Sequence, residues 1–187
     1  MTSPPTAEQE TVLPAIPFPC DEKLRRKLRS RFVLNSYMLF KLPLARFAGL
    51  RIRDLSPHHC VCSIPYGWRS TNPFRSIYFA AQCMAAEMST GALALLATRS
   101  APGSVSMLVT GLEASFRKKA SSESTFTCIE GHFLFDTVQQ AIESGEGKRV
   151  TVESIGRDAS GDEISRFTFE WSFKARGSVG SEATESR

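Results

Sequence analysis

At 187 residues, 42% of them hydrophobic and 22% charged, the chain can form one domain with a substantial core and has the balance of an ordinary globular protein. The net charge of +4 permits an anionic ligand but lacks the dense basic stripe of a nucleic-acid binder, so no nucleic-acid partner is expected. Five cysteines (Cys20, Cys60, Cys62, Cys83 and Cys128), odd in number and irregular in spacing, argue against a disulfide framework and suit a reducing, cytoplasmic setting.

The opening MTSPPTAEQETVLPAIPFP has neither a basic n-region nor an unbroken apolar run and does not read as a secretory signal. Its prolines and polar residues predict a disordered leader over residues 1–20, and GSVGSEATESR predicts a disordered tail over 177–187. Between them, residues 21–176 read as a single domain. It begins with a basic helix over 21–42, capped by Asp21, ended at Pro43, and carrying Leu24, Leu28, Phe32 and Met38 at helical spacing. Six basic residues between Lys23 and Arg31 fit the solvated face of a packed amphipathic helix, or peripheral contact with a membrane surface.

From Leu50 to Tyr66 the period shortens to two. Cys60, Cys62, Ile64 and Tyr66 alternate with Val61, Ser63 and Pro65, which predicts a strand paired in a hairpin with the segment carrying Leu50 and Ile52. His58 shares a strand face with Cys60 and Cys62, but structural zinc favours cysteine knuckles in turns with a second ligand pair. The only other histidines are His59 and His132, so core thiols are the simpler reading and no metal is expected.

The next segment is apolar nearly all round. From Ser76 to Thr98 its only charge is Glu87, and its small residues Ala80, Ala81, Ala85, Ala86 and Gly91 allow close approach on several sides. At 21 residues, 77–97 is also long enough to span a bilayer. The polar Gln82, Glu87, Ser89 and Thr90 and the strand-patterned sequence downstream favour a helix enclosed by its own protein. Pro102-Gly103 stops it.

After it, Val105, Met107 and Val109 share one parity, and beyond Gly111 the apolar parity switches to Leu112, Ala114 and Phe116, the signature of a β-bulge. A third strand carries Phe126 and Cys128. FLFDTVQQAIESGEG predicts a short helix with Leu134, Val138 and Ala141 inward. Two long strands follow, 150–157 and 164–174, the last alternating Phe167, Phe169, Trp171, Phe173.

Strands wrapped round one long helix resemble the hotdog fold, and the helix start is similar to a motif of hotdog acyl-CoA thioesterases, N-x-x-G-T-x-H-G-G with an acid nine residues after the histidine. Here Asn72, Ser76 and Glu87 fall at the matching intervals; Arg75, Tyr78 and the pair Phe79-Ala80 stand in place of glycine, histidine and the glycine pair. NPFRSIYFAAQCMAAEMSTG also resembles the hotdog branch known as domain of unknown function 4442. The likeness spans roughly residues 22 to 175.

The resemblance implies an α+β hotdog domain, an antiparallel sheet around one central helix with an extra N-terminal helix, assembled as a homodimer or higher homo-oligomer. It implies an acyl-CoA or acyl-carrier thioesterase in which Glu87 activates water or attacks the carbonyl, with no cofactor beyond the coenzyme A moiety of the substrate. It starts the helix near Tyr78, whereas Asn72-Pro73 would start it at Pro73 by capping rules. The backbone amides of Phe79 and Ala80 would then polarise the carbonyl, Asn72 would orient substrate or water, and Ser89 and Thr90 would hold the attacking water. Arg117, Lys118 and Lys119, with Arg69, would grip the carrier phosphates. The missing glycines open an alternative: a non-catalytic acyl-CoA binding or regulatory module. A third reading is a membrane-surface protein acting through Lys23–Arg31.

Overall fold

A computed structural model of the chain describes residues 14–176. In chain order it contains α1 (Glu22–Arg29), α2 (Arg31–Lys41), α3 (Pro43–Ala48), β1 (Arg51–Leu55), β2 (Cys60–Ile64), α4 (Phe79–Ser100), β3 (Val105–Phe116), β4 (Ser124–Cys128), α5 (Gly131–Ser144), β5 (Lys148–Arg157) and β6 (Glu163–Ala175). The strands form one antiparallel sheet in the order β1-β2-β4-β5-β6-β3. α4 packs on one face of that sheet. This is the hotdog fold.

The core follows from strand parity. Phe167, Phe169, Trp171 and Phe173 of β6, Phe126 and Cys128 of β4, and Cys60, Cys62 and Ile64 of β2 all point inward and are buried. They meet Ala85, Ala86, Leu93, Ala94, Leu96 and Ala97 of α4, also buried. Each large side chain removed from water stabilises the fold by roughly 1.5–3 kcal/mol. The alanines matter for a different reason: without long side chains, the helix lets the strands of the sheet approach closely. α4 is long and apolar enough to cross a membrane, but most of it is buried within the fold. Cys60 and Cys62 sit in the core with sulphurs 3.8 Å apart.

β3 carries the expected bulge, its register with β6 shifting between Val109 and Gly111. Beyond it, Leu112 and Phe116 are 49% and 50% exposed: among the described residues β3 is an outer strand, with β6 on one side and no strand on the other.

The single helix expected over 21–42 is instead two. Ser30 adopts an extended conformation, φ −71° and ψ 112°, and turns the chain between α1 and α2. Asp21 caps α1 as expected, its Oδ1 accepting from Leu24 N at 2.9 Å. Pro43 ends α2 and occupies the first turn of α3, where its missing N–H is harmless. Residues 1–13 of the expected leader, and the expected tail, lie outside the described residues; within 14–20, Phe18 is buried with its ring 5.3 Å from Phe135.

Candidate functional site

α4 is covered unevenly. Ala80, Cys83, Met84, Glu87, Gly91 and Leu95 recur at helical spacing and are less buried than the residues facing the sheet. They form a seam along the helix, and Glu87 stands midway along it. The expectation that Glu87 would be enclosed by β-structure is corrected: in the single chain its side chain is exposed. A lone carboxylate belongs on the line where water can still reach it, because full burial without a partner carries a heavy desolvation cost.

Exposure does not make its surroundings polar. Glu87 lines a cavity of about 240 Å³ whose other walls are Leu28 from α1, Leu34 and Tyr37 from α2, Leu42 between α2 and α3, Ile52 from β1, Met88, Gly91, Ala92 and Leu95 from α4, and Met107 from β3. Its carboxylate has no hydrogen-bond or ion-pair partner among the described residues. Crowding by these apolar walls under-solvates the charged form and raises the Glu87 pKa from its ordinary value. Gly91 makes the room: a methyl there would lie 2.7 Å from Glu87 Oε1.

The start of α4 forms a second concavity. The helix begins at Phe79 with Tyr78 as its N-cap and no side-chain cap, as the family pattern implied and unlike the start that Asn72-Pro73 suggested. No acceptor among the described residues meets the amides of Phe79 and Ala80; those of Ala81 and Gln82 are closed onto Tyr78 O. The preceding loop is built on Asn72. Its Oδ1 accepts from Phe74 N at 3.0 Å, Ser76 N at 3.2 Å and Ser76 Oγ at 3.2 Å, and the loop holds Arg75 at φ 57°. A cavity of about 590 Å³ joins Asn72, Phe79, Phe116 and Arg117 through Ala120.

The expected site residues therefore fall into two groups. Asn72, Phe79, Arg117, Lys118 and Lys119 share the cavity at the helix start. Glu87 lies eight residues further along α4, about 12 Å at 1.5 Å per residue. Ser89 and Thr90 belong to neither group. The Ser89 hydroxyl donates to Ala86 O at 2.7 Å and meets Ser154 Oγ at 2.7 Å. Thr90 donates to Glu87 O at 3.1 Å and accepts from Trp171 Nε1 at 3.2 Å. Both are buried and committed to the helix–sheet contact.

The expected phosphate grip is largely neutralised. Arg117 pairs with Glu163 at 2.8 Å, and Lys118 pairs with Asp162 at 2.5 Å and Asp158 at 2.9 Å. Those carboxylates push the Lys118 pKa up to about 12. Lys119 is exposed without such a partner among the described residues, and Arg69, also exposed, lines neither of these cavities. Sequence reasoning missed α1 and α2 as walls of the Glu87 cavity, and it missed Gly91 as the seat of the carboxylate. The second had a signal, since Gly91 lies one turn after Glu87, on the same helix face.

The sequence matches a family model, described as a domain of unknown function (DUF4442), over residues 30–173. No protein of curated function matches it. Solved structures share the fold at low identity. A Pseudomonas aeruginosa protein named a probable thioesterase is 18% identical, with a TM-score of 0.65 over 80% of this chain and 99% of its own. A Chlorobaculum tepidum protein of unknown function is 14% identical, with a TM-score of 0.69 over 84% and 98%. A Staphylococcus aureus thioesterase, solved with one glutamine replaced by alanine and again with one glutamate so replaced, is 12% identical, with a TM-score of 0.52. That match covers 71% of this chain and 98% of the glutamine variant.

Proposed function

The chain belongs to the DUF4442 family, and from that premise we propose that it hydrolyses an acyl thioester, with Glu87 as the catalytic carboxylate. One observation carries the reading: a carboxylate in an apolar cavity with no partner among the described residues, where under-solvation raises its affinity for a proton and so makes it a stronger base. Glu87 takes a proton from water, hydroxide adds to the thioester carbonyl, and the carbon–sulphur bond breaks to give a carboxylic acid and a thiol. Direct attack by Glu87, followed by hydrolysis of the mixed anhydride, gives the same products.

The tetrahedral oxyanion needs donors, and the free amides of Phe79 and Ala80 suit it. At about 12 Å along α4, one chain's amides and its own Glu87 cannot both reach one carbonyl. The reading therefore includes a homodimer in which the helix start of one copy faces Glu87 of the partner subunit. Support comes from β3, whose twelve residues form an outer edge that pairs with no further strand among the described residues, with Leu108, Leu112 and Phe116 exposed. The glutamine and glutamate replaced in the Staphylococcus aureus thioesterase lie fifteen residues apart, the separation of Asn72 and Glu87 here.

Thiol release from acyl-CoA substrates of graded chain length is the test. Glu87→Gln should abolish release while the circular dichroism spectrum and melting temperature show an intact fold; equal rates in both proteins remove Glu87 from the reaction. The alternative, a non-catalytic acyl-CoA binding or regulatory module, draws on the bulk of Tyr78 and Phe79, whose rings pack 4.8 Å apart at the helix start. It prevails if no thiol is released yet acyl-CoA raises the melting temperature.

A further inference from the structure

The Glu87 cavity does not end at α2. It shares Leu28, Leu34, Tyr37 and Leu95 with a second cavity of about 530 Å³, which opens beside Lys23, Lys27 and Arg99. Together they make a trough between α1–α2 and α4, apolar along its length and basic at its far end. Lys23 and Lys27 are one turn apart on the same face of α1, and Arg99 lies in the last turn of α4. None of the three has an ion-pair partner among the described residues, whereas Arg117 and Lys118 are both occupied. Asp21, the acid that lines this cavity, caps α1, and the neighbouring Glu22 pairs with Arg25.

From Glu87 to Arg99 is twelve residues of helix, about 18 Å. A phosphopantetheine arm has two amide units and a cysteamine between its sulphur and its phosphate, an extended reach of the same order. We infer that the trough holds the phosphopantetheine arm of the thioester, with the carbonyl near Glu87 and the phosphate between Lys23, Lys27 and Arg99. The inference rests on the thioesterase reading and replaces Arg117 and Lys118 as the phosphate grip. Coenzyme A and an acyl-carrier protein present the same arm.

The experiment measures binding in the Glu87→Gln chain, where no turnover intervenes. Calorimetry with a short-chain acyl-CoA is compared with the matching S-acyl-pantetheine, which lacks phosphate, and with an acyl-carrier protein. Combining Lys23→Ala, Lys27→Ala and Arg99→Ala should weaken a phosphate-bearing ligand at least tenfold and leave S-acyl-pantetheine unchanged. Loss seen only with the carrier protein supports the inference and names that source. Undiminished binding of every phosphate-bearing ligand overturns it, as does equal affinity of the parent chain for the ligands with and without phosphate. Thiol release by the wild-type chain decides the hydrolase reading separately, so one can fall while the other stands.

A different surface carries a second inference. α2 is apolar on two opposite faces: Leu34 and Met38 enter the core, while Phe32 and Phe40 are 83% and 80% exposed, with Leu39 beside them. Leu44 and Phe47 of α3 are exposed too, and Phe47 meets the ring of Trp68, 81% exposed, at 5.7 Å. Residues 31–49 contain Arg31, Lys41 and Arg46 and no acid. Aromatic side chains standing in water among cations that have no ion-pair partner among the described residues complement an anionic lipid surface. The geometry points to α2–α3 as a face that docks on such a bilayer, with α2 rather than the basic α1 as the inserted element.

Co-sedimentation of the full chain with phosphatidylglycerol/phosphatidylcholine vesicles, and with phosphatidylcholine alone, tests this. Binding should require the anionic lipid and fall at least tenfold in Phe32→Ser/Phe40→Ser, whose side chains are outside the core. The docking face is overturned if the intact chain stays in the supernatant or the variant binds equally well. It is likewise overturned if the variant only splits an oligomer in sedimentation velocity, which would assign the face to a second copy of the chain.

Discussion

Glu87 and Gly91 form a local pair in which the smaller residue sets the position of the larger. A methyl on Gly91 would meet Glu87 Oε1 at 2.7 Å, the movable end of a flexible side chain, so Gly91→Ala displaces the carboxylate rather than the helix. Alanine also favours a helix interior over glycine by up to about 1 kcal/mol. The expected result is an unchanged or higher melting temperature with at least about a tenfold loss of thiol release, since small displacements of a reacting group are costly. Glu87→Gln makes a second prediction, with a definite sign. A pKa raised in the folded state means the folded protein keeps this proton to higher pH than the unfolded chain. Stability is then fully present below the ordinary glutamate pKa, declines as pH rises through the interval to the folded value, and stays lower above it. Glu87→Gln should therefore melt higher than wild type at pH 7, by at most about 2–4 °C because water still reaches the carboxylate. The difference should vanish below about pH 4.

At the scale of elements, the start of α4 separates an amide from the side chain beside it. Tyr78 has φ −58° and ψ 136°, the conformation a following proline prefers, and Phe79 is the first helical residue, where proline fits. Phe79→Pro thus deletes one free amide without breaking the helix, while Phe79→Ala removes the same ring and keeps the amide. If that amide stabilises the oxyanion, the proline variant should lose roughly 10²–10³ in kcat relative to the alanine variant; equal rates would exclude the amide from the reaction. The same helix shows what could be read from the sequence and what could not. Its apolar composition, the parity of β6 and the switch at Gly111 are local patterns, each a direct trace of which side chains face the core. The open seam is not local, because it depends on α1 and α2 folding back over one part of α4 while another part stays bare. Ser30 illustrates the gap: nothing in its immediate sequence opposes a continuous helix, and the turn there follows from the packing of Leu28 and Leu34 on either side of it. Arg117 and Lys118 were legible as cations, but the acids that occupy them arrive some forty residues later, on β6 and the loop before it.

For the whole molecule, the question is whether one site is drawn from one chain or two. The free amides and Glu87 of a single chain are too far apart to share a carbonyl, and β3 offers an edge long enough to join two sheets. A two-chain site can be tested by complementation. Take Phe79→Pro and Glu87→Gln as two variants that each abolish or nearly abolish thiol release, then mix them after subunit exchange. In a mixed dimer, one site combines the intact helix start of the Glu87→Gln chain with the intact Glu87 of the Phe79→Pro chain, and the other site carries both defects. Random pairing puts half of the dimers in the mixed form, each with one working site of two, so about a quarter of wild-type activity should return. A site contained in one chain regains nothing on mixing, because every copy keeps its own defect. Leu112→Glu, on the exposed edge, should cut the recovery and shift the sedimenting species toward monomer, since a charge there opposes edge-to-edge pairing. Recovery that survives the loss of the dimer would place the missing contact elsewhere on the surface.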